Sequence, residues 1–156
     1  MGIKVSRVLF LHGVFGQNSS KPYFLKSLGL EVFHPVLNDW SFDESVREAQ
    51  ENLNEIKPDL IVGSSRGGAV AMNIQSENIP LILLAPAWRV FGRKDRTKSS
   101  STIIHSAGDT LIPIDDSRRL SANSNCQLVI AGSDHRLNCE EGKNALKTAV
   151  RKYLNC

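Results

Sequence analysis

The stretch Gly63-Ser64-Ser65-Arg66-Gly67 fits the pattern G-x-S-x-G in one frame only, with Ser65 at its centre. A serine on a sharp strand-to-helix turn is held at strained backbone angles, and residues two positions to either side come so close that side chains there would collide. Glycine removes that crowding. Ser64 suits the role poorly, because its own neighbours at that spacing are Val62 and Arg66. A serine hydroxyl is a weak nucleophile at neutral pH and needs a base within hydrogen-bond reach, which in turn needs a group to fix its tautomer and stabilise its cation. Asp109 and His135 follow Ser65 in the order nucleophile, acid, base, a set suited to two-step acyl transfer to water. A helix starting near Arg66 would aim its positive end at the same place, where backbone N–H groups can stabilise a tetrahedral oxyanion.

The elements that must position these groups are legible as alternating patterns. Short apolar runs predict strands at Arg7 to Leu11, Glu31 to His34, Leu60 to Val62, Leu81 to Leu84, Thr102 to His105 and Gln127 to Ala131. Between them, Ser41 and Glu44 have the spacing of a capping box, and Val46, Ala49, Leu53 and Ile56 repeat at helical intervals until Pro58. A last helix is expected from near Asn138, with Glu140 and Glu141 in its first turn and Arg151 and Lys152 near its end, which complements the helix dipole. Further helices are expected from Pro22 to Leu28, stopped by Gly29, and from Asp115 to Ala122. Strand and helix alternation predicts β-α units with a mostly parallel sheet, whose ligands bind beyond the carboxyl ends of the strands. The polar residues cluster there: His12-Gly13, the Gly63 to Gly67 turn, Gly108-Asp109 and Asp134-His135 each follow a strand.

From "VLFLHGVFG" through "LIVGSSRGGAVA" and "IIHSAGDTLIPI" to "AGSDHRL", nearly the whole chain resembles the α/β-hydrolase superfamily, and most of all its small members without a cap domain. The resemblance implies a three-layer α/β/α sandwich with a mostly parallel sheet of about six strands, in a single domain over residues 1–156. It implies Ser65 as nucleophile, Asp109 as orienting acid and His135 as base, with an oxyanion hole formed by the backbone N–H groups of Arg66 and Val14. Larger members carry two leading strands and a cap, whereas this chain begins with the strand before His12; substrate selection is therefore expected to fall to short loops.

Other residues compete for a place at the site. Phe15 in the His-Gly loop and Trp88 are candidates to line a substrate pocket, with Phe91 a further wall. His12 stands with them as a pocket candidate, although it has no evident proton-transfer partner and a structural hydrogen bond in its loop is favoured. Asp115 and Asp116 lie where aspartates commonly cap a helix, and Asp134 reads as a turn residue. His34 and His105 are expected to be sheet residues. The basic stretch from Trp88 to Lys98 reads as a solvated crossover anchored by its two aromatics.

Composition narrows the function class. At 156 residues, 41% hydrophobic and 22% charged, the chain has room for one domain with a real core. No apolar run approaches the roughly 18 residues of a membrane span, and a net charge of +3 spread along the chain lacks the footprint of a nucleic-acid binder. Neither membrane nor nucleic acid is expected as a partner; the expected partner is a small-molecule acyl substrate. The odd count of three cysteines, Cys126, Cys139 and Cys156, without a C-x-x-C pair argues against a disulfide framework and fits a reducing, cytoplasmic setting. The histidines show no metal-ligand spacing, so neither metal nor cofactor is expected. Met1-Gly2 with Ser6 matches the loose myristoylation pattern. The favoured function is a serine esterase or thioesterase. The alternative is a binding or scaffold protein that keeps the same fold without turnover. Histidine phosphatase chemistry is disfavoured, because Leu11 occupies the position where such a His-Gly motif carries arginine.

Overall fold

The computed structural model describes residues 2–155; Met1 and Cys156, and with them part of the myristoylation pattern and one of the three cysteines, lie outside the described residues. Six strands form one sheet in the order β2-β1-β3-β4-β5-β6: β1 (Arg7–Leu11), β2 (Glu31–Phe33), β3 (Leu60–Ser64), β4 (Leu81–Leu84), β5 (Ser101–His105) and β6 (Gln127–Ile130). All five pairings are parallel. The helices are α1 (Lys21–Ser27), α2 (Phe42–Ile56), α3 (Arg66–Asn73), α4 (Ile114–Ser124) and α5 (Glu140–Tyr153). The expected strands and helices are all present, with ends that shift by a few residues. The most consequential shift is in β3, which runs two residues past Val62 and so delivers Ser65 directly from strand into helix.

Side chains alternate across the strands, as the pleat requires, and they divide the core in two. Val8, Phe10, Val62 and Ile104 face Leu25 of α1 and Leu146 and Val150 of α5. Leu9, Leu11, Ile61 and Ile103 face Ala49 and Leu53 of α2, Val70 of α3 and Leu120 of α4. This is the three-layer α/β/α architecture. Because both faces are covered, the central strands are nearly continuous apolar runs. The chain leaves β1 for the edge strand β2 and returns to pair β3 on the other side of β1. The order therefore reverses beside β1 and β3, which places a crevice between the loops after them. No helix among the described residues is long and apolar enough to cross a membrane.

The start of α2 corrects one local expectation. The Ser41 side chain accepts the Glu44 N–H at 3.2 Å, so half of the capping box is present. Its reciprocal half is not, because Asn38 Oδ1 takes the Ser41 N–H and the Glu44 carboxylate turns to Arg47 instead. Ser41→Ala is accordingly expected to cost about 1 kcal/mol, the usual worth of a single N-cap bond, as read by urea denaturation.

Candidate active site

Ser65 occupies the turn between β3 and α3 at φ 55°, ψ −115°, a strained conformation for a residue with a side chain. Surrounding backbone holds it there. Its N–H donates to Leu84 O at the end of β4, and its own carbonyl accepts from Gly68, Ala69 and Ala87. The register that pairs Leu11 with Gly63 brings the His-Gly loop alongside, close enough that a Cβ on Gly13 would lie 3.3 Å from the Ser65 Cβ.

The three residues ordered along the chain meet at this point. Ser65 Oγ lies 3.1 Å from His135 Nε2, and His135 Nδ1 lies 2.6 Å from Asp109 Oδ2. His135 belongs to the β6–α5 loop, where Asp134 Oδ1 accepts the Arg136 and Leu137 N–H groups and shapes the turn. Ser106 ties the β5–α4 loop to it, donating to Gly132 O at 2.9 Å. Asp109 is without exposed side-chain surface. Burial pushes its carboxyl up, but N–H bonds from Ile112 and Leu111 to Oδ1 and the bond from His135 outweigh that, leaving it below the ordinary carboxylate value.

His105, read from the sequence only as a sheet residue, does more than fill the end of β5. Its Nε2 faces two acceptors, Asp109 Oδ2 at 3.1 Å and Ile112 O at 3.0 Å, so that nitrogen carries the proton, and Nδ1 accepts from Ser117 Oγ at 2.6 Å. Burial, set against the bond to Ile112 and the Asp109 charge, holds His105 below the usual histidine value and therefore neutral at pH 7. Asp109 thus receives four donors, two on each oxygen. The i, i+4 spacing of His105 and Asp109 was available in the sequence, but without the loop geometry nothing tied the pair together.

Three of the pocket candidates lie elsewhere. His12 is fully buried: its Nε2 accepts the Leu37 N–H at 2.9 Å and its Nδ1 lies 2.6 Å from Gly13 O, so both nitrogens are occupied and it lines no pocket. Trp88 is also buried, because its ring fills the space between the end of β4 and α4 and its indole N–H finds Asp116 O at 3.0 Å. Phe91 stacks on Phe42, and the two rings cover the buried guanidinium of Arg66, which also donates to Ser45 Oγ. The Arg66 side chain therefore fastens α3 to α2, while its backbone N–H, at the first position of α3, has no acceptor within the helix. Asp115 and Asp116 sit in the first turn of α4, paired with Arg118 and Arg89.

Val14 and Phe15 remain at the site. Together with Leu111 and Ile112 they form the apolar part of a cleft of about 650 Å³ that reaches Ser65 and His135. Phe15 is 60% exposed and sits at φ 51°, pinned by its N–H bond to Asp39 and packed edge-on against Trp40.

No protein-family model matches the sequence, and no curated protein does. Solved structures do match. A lid-less α/β serine hydrolase from Xanthomonas campestris superposes with a TM-score of 0.75 at 17% identity, over 99% of this chain and 85% of that one. The esterase domain of a Rhodothermus marinus protein gives 0.68 at 16% identity, over 95% and 87%. Mouse alpha/beta hydrolase domain-containing protein 10 gives 0.73 at 12% identity, over 97% and 90%. With the parallel six-stranded sheet and the serine turn after its third strand, these likenesses establish that the chain has the α/β-hydrolase fold.

Proposed function

We propose that the protein is a serine hydrolase that cleaves an ester or thioester of a small or accessible acyl substrate through an acyl-enzyme. The observation that carries this reading is the unbroken hydrogen-bonded line from Ser65 Oγ through both nitrogens of His135 to Asp109. In the first step Ser65 Oγ attacks the carbonyl carbon as its proton passes to His135 Nε2. Asp109 stabilises the imidazolium, and the oxyanion is received by the N–H groups of Arg66 and Val14. His135 then protonates the leaving group, and a water activated by the same nitrogen hydrolyses the acyl-enzyme. Fluorophosphonate labelling tests the reading: intact mass is expected to show one adduct on the wild type and none on Ser65→Ala. A folded wild type that neither labels nor turns over simple esters would instead make the chain a binding protein on this fold.

In this reading His105 is a positioning residue, acting on the substrate only through Asp109. His105→Leu removes one donor from the carboxylate and is expected to lower kcat about tenfold to a hundredfold, in the range of other supporting hydrogen bonds. The carboxylate, less satisfied, holds the proton on its other partner more tightly, so the acid limb of the pH–rate profile moves to higher pH. His105→Gln keeps an N–H donor and should restore the limb. A leucine variant with reduced rate but an unmoved limb would make His105 a packing residue only.

A further inference from the structure

The cleft beside Ser65 also holds a cation without a matched counter-charge. Lys21, the first residue of α1, lines the cleft yet is only 5% exposed. Its ammonium donates to Arg136 O and Asn138 Oδ1, 2.5 Å each, both neutral acceptors. A third N–H remains, and among the described residues no carboxylate forms an ion pair with it. A neutral donor could tether the His135 loop to α1 through the same two acceptors, without the cost of burying a charge. The charge is explained if its counter-ion arrives with the ligand. Exposed Arg136, whose carbonyl Lys21 holds, also lines the cleft, and Ser19 adds a neutral hydroxyl, whereas Val14, Phe15 and Leu111 give the lining an apolar component.

We infer that Lys21 and Arg136 form an anion subsite, and that the substrate is an acyl ester or thioester carrying a carboxylate on one part and an apolar group on another. The inference rests on the hydrolase reading for its chemistry, but the subsite itself can be tested without turnover. Burial is the largest influence on Lys21 and lowers its ammonium to about 8; the Asp134 charge opposes this, Lys143 adds to it and Cys139 opposes it weakly. Lysine is charged below its pKa, so the preference for anions should be greatest below about pH 8 and weaken as pH rises through it, while Arg136 keeps its charge.

The experiment compares phenyl hexanoate with monophenyl adipate, which share leaving group and chain length and differ in a terminal carboxylate. Phenyl butyrate and 4-butyryloxybenzoate place the charge on the leaving side instead. In at least one pair the wild type is expected to favour the charged ester in kcat/KM by about tenfold, the effect of one charge-assisted hydrogen bond. The charged-to-neutral ratio should fall towards one in Lys21→Met, whatever loss both esters share through a loosened loop. A wild-type ratio of one or less in both pairs, or an unchanged ratio in Lys21→Met, overturns the subsite. Should Lys21→Met fail to fold, Arg136→Gln at the exposed cation and the wild-type ratio decide the matter. Calorimetric binding of the same esters to Ser65→Ala, expected to be about tenfold tighter for the charged member, separates the two ideas. An unlabelled, inactive wild type whose Ser65→Ala form still prefers the anion would remove the hydrolase reading and keep the subsite.

Discussion

Ser65→Ala is expected to lose hydrolysis by about 10⁴- to 10⁶-fold while melting at the wild-type temperature. The loss is large because, in the proposed reaction, the hydroxyl is the atom that bonds to the acyl carbon, and no neighbour can take its place. Ser64 is the last residue of β3, and the bond to His135 Nε2 belongs to Ser65. The fold should be indifferent, since alanine keeps the same Cβ at the strained turn and the backbone bonds to Leu84, Gly68 and Ala87 do not use the side chain. His135→Ala is expected to fall to a similar floor, and the double variant no further, because nucleophile and base act as one unit in the proposed mechanism. The residual rate would come from the oxyanion donors and substrate positioning. Steady-state kinetics on an activated ester, with active-site titration to exclude wild-type carry-over, measures it. Losses that multiply in the double variant would mean that Ser65 and His135 act independently, and appreciable turnover in Ser65→Ala would place the nucleophile elsewhere.

The second large effect lies at Gly67 and is chiefly one of stability. A Cβ there would overlap the Leu11 carbonyl oxygen and approach His12 O to 2.6 Å, and both are backbone atoms of β1 and its loop that cannot rotate away. Alanine is the better helix former by about 1 kcal/mol, but that gain is small beside forcing α3 off the strand it packs upon. Gly67→Ala is expected to cost about 4 kcal/mol or more, equivalent to a fall in melting temperature of about 8–16 °C for a chain of this size. Activity should fall further than the folded fraction does, because α3 carries the Arg66 N–H and follows directly on Ser65. Urea denaturation and turnover per folded molecule check both parts. A variant as stable as the wild type would mean that α3 can move away from β1 at little cost.

Crowding where a strand turns sharply into a helix explains why the serine turn could be read from thirteen residues. Gly63 is required within the turn itself, where a Cβ would meet the Gly67 backbone, and Gly67 lets α3 pack against the neighbouring strand β1, so their spacing carries the geometry of a strand turning closely into a helix. Strands and helices were legible for a similar reason: a pleat and a helical turn repeat over two to four residues, and Pro58 and Gly29 end helices through their own backbones. Even the half-present capping box at Ser41 shows the limit, because the competing Asn38 and Arg47 were in view but their preference was not.

What emerged only on folding depends on contacts between distant parts of the chain. Ser65 and His135 are 70 residues apart, and Lys21 and Asn138 are 117 apart; a parallel sheet brings such loops to one edge, but their side-chain distances depend on how every layer packs. Apolar and amphipathic residues were open to two readings for the same reason. Trp88 and His12 have types that suit a pocket, yet Asp116 O in the first turn of α4 and the Leu37 N–H supplied partners that let them be buried. His105 shows the converse, a strand residue joined to the candidate site because the β5–α4 loop folds Asp109 back over it. Short-range sterics and periodicity are written residue by residue, whereas the assignment of partners to buried polar atoms is settled collectively, when the core closes and each of them must find a bond.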